Sequence, residues 1–357
     1  MQTNHLHPAL IIDLKKIEEN TRLLTNACKP HGITVAAVTK VFCGIPQVAQ
    51  AMIAGGAEML ADSRISNLKK LKDLGVPRML LRLPMPGRAH EVVEHADISL
   101  NSELTTLAAL SAAAEALGTV HKVIIMTDLG DLREGVWHEE LIPFMRQAVQ
   151  FPGIRIIGIG TNLTCYGGVI PDETNLGRLI QLAHEIEHQF GIHCEIISGG
   201  NSSSLHLVFQ NRIPKGINNL RLGESIVLGL ETAYGERIPG THRDCFTLAL
   251  EVIELKNKPS APVGNIGMDA FGQKPVFTDK GIRLRGILAA GRQDLNLGGI
   301  IPRDPALTII GGSSDHLIID FTESPNTYQV GSIVHFDLTY GGLLAAATSP
   351  YITKYLV

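Results

Sequence analysis

Chemistry-bearing side chains collect in a few short stretches of this chain. Lys40 closes the apolar run 33–39 (ITVAAVT). A lysine at that place, partly desolvated and near arginines, has a lowered pKa and becomes a nucleophile able to form a Schiff base. A lysine that snorkels to water fits the same residue. Further on lies Ser198-Gly199-Gly200-Asn201-Ser202-Ser203-Ser204. Glycines let a backbone approach closely, hydroxyls donate, and the apolar helix start that follows offers free N–H groups, which together suit a phosphate. An ordinary Gly/Ser turn with an Asn or Ser helix cap is the plainer reading. Arg133 in the segment 128–135 (DLGDLREG), Gly160-Thr161-Asn162, and Arg221, Gly223 and Glu224 in 220–225 (LRLGES) complete the set.

Strand-like runs at 33–39, 57–61, 78–82, 97–100, 120–127, 154–160, 193–197 and 218–221 must position these residues. Helical periodicity fills most of the intervals, at 45–54, 64–74, 102–117, 139–150 and 172–190. Eight strands linked by crossovers indicate parallel βα units, and eight closes a (β/α)8 barrel; an open doubly wound sheet is the structural rival. Asp13 is a candidate N-cap for a further helix over 14–29. Beyond about residue 235 the rhythm changes to strand-like segments at 245–255, 283–290, 307–310, 316–321 and 332–339, separated by turns rich in Gly and Pro, with no convincing long helix. The expected architecture is therefore α/β: a TIM-like (β/α)8 barrel over residues 1–235, followed by a C-terminal all-β domain over 236–357. The strand Ala9-Leu10-Ile11-Ile12 falls outside the barrel count, so residues 1–13 are candidates to pair with the β domain. In such barrels the active site lies at the C-terminal ends of the strands, with phosphate held after strands seven and eight. Lys40 and the 198–204 segment then share one rim, which suits pyridoxal 5'-phosphate (PLP), whose aldehyde and phosphate need those two groups.

Composition narrows the class. The 357 residues carry 31 Lys and Arg against 35 Asp and Glu, a formal charge of −4. That balance gives no electrostatic footprint for nucleic acid or an anionic membrane. Apolar residues make up 45% of the chain, ample for a large core. The uncharged stretches 156–171, 196–211 and 338–353 are too short and too rich in Gly, Asn, Ser or Pro to span a bilayer. Five scattered cysteines without a CxxC, and no signal-peptide pattern, indicate reduced thiols in a cytoplasmic enzyme. His184-Glu185-Ile186-Glu187-His188 matches the zinc-protease pattern H-E-x-x-H. However, Leu176, Leu179, Ala183, Ile186 and Phe190 form the buried stripe of that helix, which turns both histidines to solvent; no metal is expected.

Taken jointly, AVTKVFCG (37–44), SGGNSSSL (198–205), LRLGES, GMDAFG (267–272), GRQD (291–294) and SSDHLIID (313–320) resemble the fold-type III PLP enzymes, the alanine racemase superfamily, and most closely its ornithine racemase-like branch. The resemblance runs over nearly the whole chain. It implies that Lys40 is the Schiff-base lysine and one of two catalytic bases. Arg133 matches the arginine that binds the cofactor phenolate oxygen. Asn162 stands where the family has a ring-flanking histidine, a departure that alters ring contacts. Asn201 and Ser202, with Ser203 beside them, match the phosphate-binding Asn-Ser pair. Gly223 and Glu224 match backbone phosphate donors, and Tyr340 matches a tyrosine donor from the β domain. Arg221 matches the arginine facing the pyridine nitrogen. A guanidinium stays protonated and offers no acceptor, so it leaves that nitrogen unprotonated and favours return of the proton to Cα over transamination.

The family's second base is a partner-subunit tyrosine, but the aligned segment Met268–Gly272 carries Phe271, which holds no proton. Asp269 is the nominee, with Asp315 or His316 as alternatives. A borrowed base implies a homodimer with shared sites. The implied activity is racemisation of an amino acid by Cα proton abstraction through a Schiff base. The branch, together with Glu224 standing where the superfamily has an aliphatic residue, points to a diamino acid such as ornithine or lysine. Asp269 and Asp294 lie on loops that the resemblance places near the mouth, and Ser314, Asp315 and Glu224 are the expected substrate contacts. A pairing of Glu224 with Arg221 or another barrel arginine is the competing reading. Racemisation of alanine or serine, a fold-III aldolase or decarboxylase, and a non-catalytic PLP carrier are the other functions considered. The aldolase would need a metal ligand set, for which His335 and Asp337 offer only a pair.

Overall fold

The structure, a computed structural model, describes residues 6–268, 271–272 and 274–357. The chain divides into two compact units. One spans Leu14–Arg243; the other spans Asp244–Val357 together with the stretch up to Asp13.

The chain opens with strand β1 (Ala9–Ile12), which belongs to the second unit. Helix α1 (Leu14–Cys28) opens the first. There follow β2 (Thr34–Val38), α2 (Pro46–Ala54), β3 (Met59–Asp62), α3 (Ile65–Lys70), β4 (Arg78–Leu80), α4 (Ala89–His95), β5 (Ile98–Asn101), α5 (Leu104–Ala116) and β6 (His121–Asp128). A two-residue strand β7 (Val136–Trp137) precedes α6 (Leu141–Ala148), β8 (Ile154–Gly160), α7 (Glu173–Phe190), β9 (Ile196–Ser198), α8 (Leu205–Phe209), β10 (Asn219–Leu222) and α9 (Glu224–Leu228). Strands β2, β3, β4, β5, β6, β8, β9 and β10 pair in parallel, and the β5–β6 and β10–β2 pairings close them into an eight-stranded barrel. Strands such as β2 (TVAAV) and β8 (IRIIGIG) are mostly apolar because helices cover the outside while side chains fill the inside. Ala36, Val38, Ala61, Met79, Leu100, Ile124, Met126 and Ile157 form one buried cluster.

Within that core sit buried polar groups. His121, 3% exposed, meets Ser99 Oγ at 2.8 Å, and burial pushes its pKa down to about 4, so the ring is neutral near pH 7. Asn20 of α1, 1% exposed, donates to the carbonyls of Ile226 and His242 at 2.8 Å each and so pins α9 at the end of the barrel. Helix α7 follows the expected amphipathic pattern, with Leu176, Leu179, Leu182, Ala183 and Ile186 buried and His184 and His188 exposed. Asp172 and Asn175 cap it reciprocally.

The second unit is a mainly antiparallel sheet built from β11 (Phe246–Pro259), β12 (Ile282–Leu288), β13 (Ile300–Pro302), β14 (Thr308–Gly312), β15 (Leu317–Asp320), β16 (Ile333–Leu338) and β17 (Thr353–Leu356), in the order β13-β16-β11-β12-β15-β14. Strand β1 joins it, antiparallel to β11 with Ala9 opposite Ala249 and parallel to β17 with Ala9 opposite Thr353. The unit also contains helix α10 (Tyr340–Thr348), where the sequence shows no convincing long helix. Among the described residues no helix is long and apolar enough to cross a membrane.

Candidate active site

The C-terminal rim of the barrel brings the expected residues of β2, β6, β8, β9 and β10 into one neighbourhood. Strand β10 pairs with β2 in register, Arg221 opposite Ala36 and Leu222 opposite Ala37, so Gly223 and Glu224 leave the barrel beside the turn that carries Lys40. Lys40 starts a single 3-10 turn, Lys40–Phe42, directly after Thr39.

Lys40 is exposed. Its charge acts on the carboxyls of Asp62 and Glu224. The exposure of Lys40 corrects the expectation of a partly desolvated lysine, because the turn that opens at Lys40 turns its side chain to solvent. Burial raises the Glu224 pKa, and the Lys40 charge opposes that rise. Among the described residues Glu224 makes no ion pair with Arg221 or any other arginine, so that competing pairing is not formed.

Arg221 is 4% exposed. Its guanidinium donates to Ser198 Oγ and, at 2.6 Å, to the carbonyl of Thr161. Ser198 Oγ in turn donates a hydrogen bond to Asn219 Oδ1 at 2.6 Å. Burial lowers the Arg221 pKa to about 10, and the Glu134 carboxylate works in the opposite direction. Among the described residues the bonds to Ser198 and Thr161 use two of the five N–H groups of the fork, and no carboxylate contacts the buried cation. Arg133 forms a fork with its neighbour Glu134, which raises the arginine's pKa.

A donor cup forms where β9 and β10 end. The backbone N–H groups of Gly223 and Ser225 both point at Ser202 Oγ, at 3.4 and 3.2 Å, and Ser225 Oγ lies 2.9 Å from it. Ser203 Oγ, fully buried, has no hydrogen-bond partner among the described residues. Gly200, at φ +109°, lets the chain turn tightly into this cup. Asn201 is a scaffold: its Nδ2 donates to Asn162 Oδ1 at 3.1 Å and to the carbonyl of Leu163 at 2.9 Å, while its Oδ1 accepts from Ser203 N at 2.8 Å. Asn162 Nδ2 and Thr161 Oγ1 are buried without partners among the described residues. Buried polar atoms are nearly always satisfied, so a group of such orphans on one rim marks a site built for a polar guest. A phosphate with an attached polar ring fits this donor set: convergent N–H and O–H groups for the anion, and Arg133, Arg221 and Asn162 for ring substituents.

The remaining expected residues lie in the β unit. Tyr340 opens α10 and is half-buried. Asp315 Oδ1 accepts from His316 Nδ1 at 2.9 Å and from Ser314 Oγ at 3.2 Å, so these three residues form one exposed loop network. Phe271 stacks against the Arg292 guanidinium, 4.8 Å from ring centroid to Cζ. Asp269 lies outside the described residues. Asp294, expected as an acid near the mouth, is buried and accepts from Ser349 Oγ at 2.6 Å within its own unit. Asp337 pairs with Arg303 at 2.7 Å. Sequence reasoning missed Ser198, Ser225, Glu134 and Asp62. The first two lie inside the quoted motifs and the third adjoins Arg133, but no residue-type signal separated them from loop polarity.

Comparison with known proteins bears on the family and the fold. Residues 12–230 match the family described as alanine racemase, N-terminal domain. The chain is 49% identical over 353 residues to an ornithine racemase of Acetoanaerobium sticklandii, covering 99% of this chain and 100% of that one. It is 40% identical over 351 residues to a lysine racemase of Thermotoga maritima, covering 98% of each. Among solved structures, alanine racemase from Streptomyces lavendulae superposes with a TM-score of 0.74 at 18% identity, covering 98% of this chain and 96% of that one. The match over most of the barrel and the identity along the full chain show that this protein belongs to the alanine racemase family.

Proposed function

We propose that this protein is a PLP-dependent racemase of diamino acids, with ornithine the first substrate and lysine the second. The observation that carries the reading is the combination on one rim of Lys40, the Ser202–Gly223–Ser225 donor cup and a buried Arg221 that contacts no carboxylate among the described residues. Full-length identity to an ornithine racemase and a lysine racemase supports the substrate class. When bound, PLP supplies the electron sink that makes Cα–H acidic. Ser202, Ser203 and the N–H groups of Gly223 and Glu224 would hold its phosphate, with Tyr340 as a further donor; Arg133 would hold the phenolate oxygen and Asn162 would flank the ring.

Lys40 exchanges the Cα proton on one face of the substrate, and Asp269 of the β unit does so on the other, in a cytoplasmic homodimer with shared sites. Arg221, fixed by Ser198 and the Thr161 carbonyl, presents only N–H groups and therefore takes no part in proton exchange. Asn201 ties the 161–165 loop to the donor cup and keeps the two halves of the site in register. Glu224, half-buried and without an arginine partner among the described residues, is the counterion for the distal ammonium of the substrate. Ser314 and Asp315 contribute from the β unit.

Purified protein with PLP, incubated with L-ornithine, L-lysine, L-alanine and L-serine and followed by chiral chromatography, is expected to yield D-ornithine and D-lysine. The kcat/KM for alanine should be lower than for ornithine by on the order of 10³, because losing the distal ammonium leaves the half-buried Glu224 without its substrate partner. Equal efficiency on alanine would remove the diamino-acid assignment and leave a general racemase.

A further inference from the structure

The rim contains a carboxylate that the reading above does not use. Asp62 ends β3 and is fully buried. Its Oδ2 accepts from Thr39 Oγ1 at 2.7 Å, its Oδ1 accepts from Arg64 N at 2.9 Å, and Asn67 Nδ2 lies 3.1 and 3.2 Å from the two oxygens. Every one of these groups can donate, so the network is arranged for the ionised, acceptor-only form. Burial raises the Asp62 pKa, while the donors and the Lys40 charge lower it.

Thr39, fully buried, is the residue before Lys40 and also donates to Ala61 O through its backbone at 2.8 Å. On the far side of the Lys40 turn, Lys70 Nζ donates to Cys43 O at 2.8 Å and to Asn67 Oδ1 at 3.3 Å. Cys43 and Gly44 take left-handed conformations, φ +57° and +61°, and a Cβ on Gly44 would lie 2.8 Å from Asn67 Cβ. The chain therefore enters and leaves Lys40 through one network, Thr39–Asp62–Asn67–Lys70–Cys43, packed tightly enough to exclude a side chain at residue 44.

We propose that Asp62 is a positioning residue for Lys40, bracing its turn through Thr39 and holding its ammonium by charge. A lysine has a long flexible stem and a bare point charge, so its base and the field around it must be fixed for its nitrogen to return to one place. The Lys40 charge acts on Asp62 of β3 and on Glu224 of α9; Arg64 reaches Asp62 through its backbone N–H. The proposal rests on the assignment of Lys40 as a catalytic base.

The test is competitive acetylation of the full chain, freed of cofactor with hydroxylamine and dialysed, read by peptide mass spectrometry as Lys40 labelling relative to exposed Lys15. In Asp62→Asn, loss of the anion that holds Thr39 and attracts the Lys40 amine should free that amine to the reagent and raise the ratio at least about threefold at pH 8. Asn67→Ala keeps the anion and should not raise it. With PLP, Asp62→Asn should lower kcat for ornithine by about 10² and enlarge the α-deuterium isotope effect for the one enantiomer whose Cα–H faces Lys40, whereas general loosening would change both alike. Should Asp62→Asn fail to fold, Thr39→Val keeps both charges, and a kcat drop of about tenfold with KM within about twofold would support the brace. An unchanged labelling ratio and unchanged isotope effects in Asp62→Asn, or an unchanged kcat in Thr39→Val, would overturn the proposal. A wild-type protein without racemase activity whose labelling still shifts would instead count against the assigned reaction and leave the Asp62–Lys40 coupling standing.

Discussion

Replacing Lys40 by alanine is expected to lower kcat for ornithine racemisation by on the order of 10⁴ or more. A positioned acid–base group contributes roughly 10²–10⁴, and here the same amine is assigned the anchoring of the cofactor, so both effects go together. The substitution also leaves Asp62 and Glu224 without the cation that acts on both. Glu224 can relax, because it is only partly buried, while Asp62 keeps its bonds to Thr39, Arg64 and Asn67. The variant should therefore fold, and an unchanged circular dichroism spectrum separates lost chemistry from lost structure. Added methylamine should restore part of the rate, since it supplies the missing amine without the missing tether. Activity within about tenfold of wild type would show that another residue exchanges the proton.

Glu224→Gln is expected to lower kcat/KM for ornithine by on the order of 10³ while leaving alanine within about threefold. The two side chains have nearly the same volume, so the change removes a charge and little else. Glu224 makes no bond to an arginine among the described residues, and its burial favours the neutral acid unless a cation is near. Lys40 is that cation in the free protein; a diamino substrate brings another. If ornithine and alanine lost efficiency in parallel, Glu224 would be serving the fold or the phosphate cup rather than the substrate.

Much of this architecture is legible in the amino-acid sequence. The run 154–160 coincides with β8, and the other seven barrel strands fall within three residues of their expected limits, because buried parallel strands read as β-branched runs between helical periods. The strand Ala9–Ile12 was orphaned by the barrel count, and a sheet partner in the β unit follows from that. Helix α10 escaped because Tyr-Gly-Gly-Leu-Leu-Ala-Ala-Ala-Thr begins with poor helix formers and has no polar face to give a period. Helix α4 is too short for periodicity to register. Strands β13 and β17 are only three and four residues long.

The site was legible where residue type alone fixes chemistry and illegible where pairing does. Lysine, arginine and a Gly/Ser segment at strand ends could be picked out by position. That the Lys40 charge acts on carboxylates depends on the register of β2 against β3 and β10, which composition does not carry. Asp62 sits at the end of the second barrel strand, in Ala61-Asp62-Ser63, where a carboxylate reads as turn polarity. Ser198 ends a strand, and its hydroxyl becomes informative only once Arg221 is seen to lean on it.

Borohydride reduction of the purified PLP-loaded protein, followed by peptide mass spectrometry, tests the central claim most directly. The account predicts a stable pyridoxyl-phosphate mass on Lys40 and on no other lysine, with loss of racemase activity in proportion to labelling. A label on a different lysine, or full activity in protein whose Lys40 is completely modified, would contradict the assignment of the site.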